Sequence, residues 1–162
     1  ARDPVMRRLL FALAAIVPMV VQATSLTALS AADVPALIKP PTHGERILAL
    51  WSLDCVYCEA NLQALAALQK AHPKDIELVP IATDDIAQHK AIEQRIHAAG
   101  MTAYPARAYA DATPEQINYL LDPDWGGETP RTLVIRADGT RIGMSGNLDA
   151  NKIKHLSGEK VP

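Results

Sequence analysis

The chain holds two cysteines, one phenylalanine and aromatic residues at only 4% of its 162 positions. Two cysteines are too few for a disulfide framework, so a chain of this length has to rest on a hydrophobic core. No second Cys-x-x-Cys and no clustered histidine pair completes a four-ligand zinc site. The body of the chain carries no basic run, and the formal net charge is -2, which gives no electrostatic footing for nucleic acid as a partner. Small molecules or other proteins are the expected partners. There is no internal repeat and no low-complexity tract. The length suits one domain with a real core and is short for two.

What is present begins with an address. Arg7 and Arg8 precede an apolar run from Leu9 to Val21, followed by small and polar residues up to Ala32. This pattern reads as a secretory signal peptide, with small residues placed for cleavage after Ala23, Ser30 or Ala32. The alternative is an uncleaved N-terminal anchor, for which the run is short against the about 20 residues of a spanning helix. Met6 has the look of a natural start, which leaves residues 1–5 as vector-derived or as a mis-set start. The expected division is thus residues 1–32 as signal peptide or anchor and 33–162 as the folded domain. Export would put the two cysteines where disulfides form and persist.

Beyond the signal, the Pro-rich stretch from Asp33 to Gly44 excludes a long helix or a central strand. Arg46–Trp51 is a short apolar run bounded by Gly44, which suits a strand buried on both faces. From Cys55 to Ala71, apolar residues at Leu62, Leu65 and Leu68 recur at helical spacing. Ile76–Ala82 reads as a second strand, its ladder interrupted by Pro80. Asp84-Asp85 is most simply a cap for a helix from Ile86 to Ala99, closed by Gly100. A short strand in 104–110 and a helix opened by Thr113-Pro114 follow. Thr132–Ile135, an Asp138-Gly139 turn and Arg141–Ser145 form a hairpin before a last helix over Asn147–Leu156. Strands alternating with helices predict an α/β domain whose last two strands are antiparallel.

The chemistry-bearing stretch is Trp51-Ser52-Leu53-Asp54-Cys55-Val56-Tyr57-Cys58. A Cys-x-x-Cys pair at a helix start can close a small disulfide and reopen it. At a helix N-terminus a cysteine's pKa can fall from about 8.5 into the range of about 3.5–7.5, which makes Cys55 the expected attacking thiol. Cys58, one turn into the helix, would resolve the mixed disulfide. A half-site for zinc or copper(I) and an inert disulfide stay open as alternatives.

Trp51-x-x-x-Cys55-x-x-Cys58 after a buried strand, together with Gly127-Glu128-Thr129-Pro130 before a strand and a hairpin, resembles the thioredoxin-like superfamily over about residues 35–157. The likeness is nearest to exported TlpA/ResA-like and cytochrome c maturation thioredoxins. It implies a thioredoxin-like fold, a central mixed sheet flanked by helices, with an extra strand-helix insertion before a cis-proline. It implies that Pro130 is that proline, facing the cysteines, and that Thr129 offers its backbone to a bound peptide. It places Trp51 beneath the dithiol and makes Val56 and Tyr57 the residues that tune potential and partner choice. No cofactor is implied. The implied activity is thiol–disulfide exchange with cysteine-containing client proteins, as a reductant fed by a membrane thiol donor. A general disulfide oxidant is the second reading, and a copper(I) or zinc carrier using the same two thiols is the rival from another class. The implied location is periplasmic or otherwise extracytoplasmic, with membrane attachment only if the N-terminal segment is retained.

The departures from the family are informative. The chain lacks the Gly-Pro pair of thioredoxin proper and the Pro-His pair of strong oxidants. Asp54 stands where a second tryptophan is usual, Ala49 where thioredoxin proper keeps a buried acid, and Asn61 where ResA-like proteins carry a glutamate. Glu59 and Glu128 are candidate replacements for the missing acid. The histidines at 43, 72, 89, 97 and 155 show no ligand spacing, and the Cys-x-x-x-Cys of copper-carrying relatives is absent. Asp54 is a candidate helix cap, and its charge beside Cys55 opposes thiolate formation. Asp54→Asn should therefore lower the pH midpoint of Cys55 ionisation, measured in the reduced protein by thiolate ultraviolet absorbance; an unmoved midpoint would show that the Asp54 charge does not act on Cys55.

Overall fold

A computed structural model describes residues 25–110 and 113–158. The signal-like run and the cleavage position after Ala23 lie outside the described residues. Six strands form one sheet in the order β1-β4-β3-β2-β5-β6. They are β1 (Thr27–Leu29), β2 (Glu45–Trp51), β3 (Ile76–Asp85), β4 (Arg107–Tyr109), β5 (Arg131–Arg136) and β6 (Arg141–Ser145). β1, β4, β3 and β2 run parallel, while β5 and β6 are antiparallel to their neighbours. The helices are α1 (Val34–Leu37), α2 (Cys58–Ala71), α3 (His89–Ala98), α4 (Pro114–Leu121) and α5 (Ala150–Leu156). The expected mixed sheet, the closing hairpin and the β4-α4 insertion are all present.

The period of two in β2 explains why this strand is central. Ile47, Ala49 and Trp51 face one hydrophobic cluster, shared with α2, α3 and α5. Leu48 and Leu50 face the other, shared with Leu29, Val34, Tyr109, Ile117 and Leu121 from β1, α1, β4 and α4. A strand apolar on both faces belongs between two helical layers. Pro80 pairs with Ala49 in the register, and β4 joins β3 only from Ile81 onward. The missing N–H of Pro80 thus falls before the ladder to β4 begins.

Three boundaries differ from the sequence reading. The folded unit begins before Asp33: β1 lies within the segment assigned to the signal, paired with β4, and its Leu29 is fully buried. Its three residues carry too little pattern to be read as a strand, and their partner lies some 80 positions away in the chain, Thr27 pairing with Arg107. Helix α2 starts at Cys58 rather than Cys55, and the last helix at Ala150 rather than Asn147. In that last case Asp149 accepts from Lys152 N and supplies the cap, so the chain up to Leu148 stays outside.

Leu29→Ala should cost about 2–5 kcal/mol, the ordinary penalty for truncating a fully buried leucine. Urea unfolding of the two proteins measures it; a loss under about 1 kcal/mol, half of the lower figure, would show that β1 is not part of the cooperative core.

Candidate active site

β2 delivers the dithiol. After Trp51 the chain leaves the sheet, turns with Cys55 N–H donating to Ser52 C=O, and enters α2 at Cys58. Cys55 and Cys58 are joined, with a Cα–Cα distance of 5.5 Å. Cys55 lies in the turn and is 9% exposed, whereas Cys58 is the first helical residue and 1% exposed. The first bond into the helix runs from Asn61 N–H to Tyr57 C=O, so the N–H groups ahead of it are the unpaired donors that favour negative charge at this end. The expectation of Cys55 on the helix and Cys58 one turn inside it is therefore shifted by three residues.

Asp54 does not cap α2. Tyr57 occupies the N-cap position without a side-chain bond, and Asp54 instead accepts from Ser52 Oγ at 2.8 Å. Val56 and Tyr57, between the cysteines, are among the most exposed large apolar residues described. Trp51 is buried in the cluster that contains both cysteines, and its Nε1 has no hydrogen-bond partner among the described residues. The Thr129–Pro130 bond is cis, as the family resemblance implies. Pro130, Cys58, Trp51, Ala49 and Thr132 line one small cleft, which brings the proline loop against the dithiol.

The turn is held by side chains from elsewhere. Thr83 Oγ1 donates to Trp51 C=O, Asp84 accepts from Leu53 N–H at 2.9 Å, and Arg95 donates to Leu53 C=O at 3.3 Å. Ser52 Oγ contacts Thr129 Oγ1 at 2.8 Å. Of the pair read as a cap, only Asp85 caps, accepting from Ala87 N–H at the start of a short 3-10 turn. Burial, and secondarily the Asp54 charge, raise the Asp84 carboxyl above the ordinary aspartate range, against the Leu53 N–H bond that lowers it.

The acid candidates separate. Glu128 accepts from Ser145 Oγ, and that bond holds its carboxyl below the usual range. Ser145 in turn accepts from Arg131, which pairs with Asp122 at 2.6 Å. Trp125 Nε1 donates to Glu128 C=O at 2.7 Å, so this network braces the loop that ends in Pro130. Glu59 accepts from Gln63 at 3.5 Å. Asn61, at the ResA-like glutamate position, is spent on Gly146 C=O and Leu148 N–H. Sequence reasoning missed Ser52, Thr83, Asp84 and Arg95, because contacts across 31 to 77 positions leave no local signal. A cleft of about 610 Å³, lined by His43, Arg46, Lys74 and Tyr104, sits at the start of β2, the end opposite the cysteines. Among the described residues no cluster of three or more His, Cys, Asp or Glu is arranged to hold a metal.

No family model matches the chain, and no curated protein does. Solved structures do. A secreted disulfide oxidoreductase of Mycobacterium tuberculosis, homologous to E. coli DsbE, is 24% identical over 72% of this chain and 79% of that one, with a TM-score of 0.53. StoA from Bacillus subtilis is 20% identical, covering 72% and 84%, with a TM-score of 0.53. A thiol:disulfide interchange protein of the thioredoxin family from Chlorobium tepidum is 19% identical, covering 72% and 79%, with a TM-score of 0.58. At these identities the likeness is one of fold, and the fold is thioredoxin-like.

Asp84 gives a sign-definite pH test. Its raised pKa means that the folded chain favours the protonated form, so its contribution to stability is full below the ordinary aspartate range and is lost as pH rises through the raised value. Asp84→Asn keeps an acceptor for Leu53 N–H and removes the charge. The variant should gain stability over the native chain on going from acid to neutral pH, read as the difference in urea midpoints at the two; a difference that is flat with pH contradicts the assignment.

Proposed function

We propose that the protein is an exported thiol–disulfide oxidoreductase that reduces disulfides in client proteins. The observation that carries the reading is a Cys55–Cys58 disulfide at a strand-to-helix turn, its outer sulfur the more open, set against a cis Thr129–Pro130 loop. In the reduced protein the Cys55 thiolate attacks a client disulfide sulfur, and the client's other sulfur leaves as a thiolate. Cys58 then attacks Cys55 in the mixed disulfide, closing the internal disulfide and releasing the client's second thiolate. Two electrons pass to the client, and a donor dithiol must return them. On this reading the donor is a membrane thiol reductant, as in the TlpA/ResA-like group, with cytochrome c maturation as the kind of process served.

Thr129 and Pro130 would receive the client strand, with Val56 and Tyr57 as the apolar contact beside the sulfurs and Trp51, Asp54 and Glu59 in support. The location is extracytoplasmic on this reading. Of the three cleavage positions, that after Ala23 leaves β1 whole, whereas cuts after Ser30 or Ala32 would remove it. Among the described residues no helix is long and apolar enough to cross a membrane.

The decisive experiment joins two measurements. Cys58→Ser should trap a mixed disulfide with client protein while Cys55→Ser should not, and equilibrium titration against dithiothreitol should place the couple nearer about -270 mV than about -120 mV. A potential near the upper figure would reverse the direction to oxidation. Stoichiometric copper or zinc in the purified protein, with no turnover of insulin disulfides, would favour the metal carrier.

A further inference from the structure

The contact between Ser52 and Thr129 links the two halves of the site, and its proton arrangement is determined. Ser52 Oγ–H donates to Asp54 Oδ1 at 2.8 Å. With that proton committed, the second contact of Ser52 Oγ, at 2.8 Å, has Thr129 Oγ1–H as its donor. The three side chains form one directed chain from threonine hydroxyl to serine hydroxyl to carboxylate. Its charged end strengthens both bonds by polarising them in one sense. Ser52 is 8% exposed, so water competes poorly for its hydroxyl.

The rest of Thr129 is unspent. Its backbone N–H and C=O have no partner among the described residues, although Pro130 C=O, next along, accepts from Gly146 N–H and Glu128 C=O accepts from Trp125. Thr129 therefore presents an unpaired length of backbone at the edge of the dithiol, and unpaired strand-like backbone is what an extended peptide pairs with. Such pairing helps the reaction only if the peptide's sulfur arrives in line with Cys55, and a misplacement of about 1 Å is costly.

We propose that Ser52 is a positioning residue that clamps the Thr129–Pro130 loop to the turn carrying Cys55, holding a client's extended backbone in register with the Cys55 sulfur. The proposal rests on the reductase reading and adds to it the recognition of extended polypeptide around the target disulfide. Asp54 then has a role that neither a helix cap nor a proton store describes: it is the charged anchor of the clamp. Ser52 itself touches no reacting atom.

The test compares a disulfide that carries a backbone with one that does not. Full-length wild type, Ser52→Ala, Thr129→Val and the double variant are assayed on insulin and on hydroxyethyl disulfide. Each single substitution should raise KM for insulin about fivefold, the worth of one partly shielded hydrogen bond, and should raise KM for hydroxyethyl disulfide less than about twofold. The double variant should be no worse than either single one, because the same bond is lost only once. Thr129→Val approaches the bond from the other side, so poor folding of one variant leaves the other informative. Additive losses, equal losses on both substrates, or an unchanged insulin KM would each overturn the clamp. A wild type that fails on insulin overturns the reductase reading itself, a result distinct from any change among the variants.

Discussion

The backbone of the turn between β2 and α2 has left one ladder and not yet joined the next, and the site depends on how its polar groups are satisfied. In most of the fold the sheet and the helices do that work. Here Thr83, Asp84 and Arg95, all from β3 and α3, bond the carbonyl of Trp51 and both backbone groups of Leu53. Cys55 is thereby aimed by residues about 30 to 40 positions downstream, and the adjacent strand and helix become part of the redox machinery.

The electrostatics follow from the same arrangement. Three carboxylates adjoin the dithiol turn and the proline loop, and each is committed differently. Asp84 is held by a backbone N–H in a half-buried place, Asp54 by a serine hydroxyl, and Glu128 by Ser145. Glu128 is kept charged and Asp84 is pushed toward its neutral form. The missing acid at Ala49 is thus not simply relocated to one residue. The proline loop carries a carboxyl that gives up its proton readily, and the dithiol turn is braced by one that holds its proton more tightly.

Much of the fold is legible in the sequence, because β2 is apolar on both faces, α2 repeats leucine at helical spacing, and Asp138-Gly139 marks its hairpin. β1 is not legible, since three residues carry no period and their burial is decided by β4. At the site, the cysteine spacing and Thr129-Pro130 are visible because the chemistry fixes residue type. Ser52 is not: a serine beside a cysteine motif has no signature, and its partner lies 77 positions away. Asp54 misleads for the opposite reason, because aspartate before a helix so often caps it, and here a nearer hydroxyl takes the carboxylate instead.

The parallel alignment of β1 with β4, β3 and β2 sets where the described chain enters the sheet. β1 lies level with the end of β2, since Thr27 pairs with Arg107, Arg107 with Ile81 and Ile81 with Leu50, and the cysteines follow that same end of β2. Ser25, at the entry to β1, therefore sits on the edge of the sheet, separated from the strand that leads to the sulfurs by β4 and β3 and not by the length of a strand. Loss of β1 would therefore bare the edge of β4 at the same end of the sheet as the dithiol, rather than at its far end.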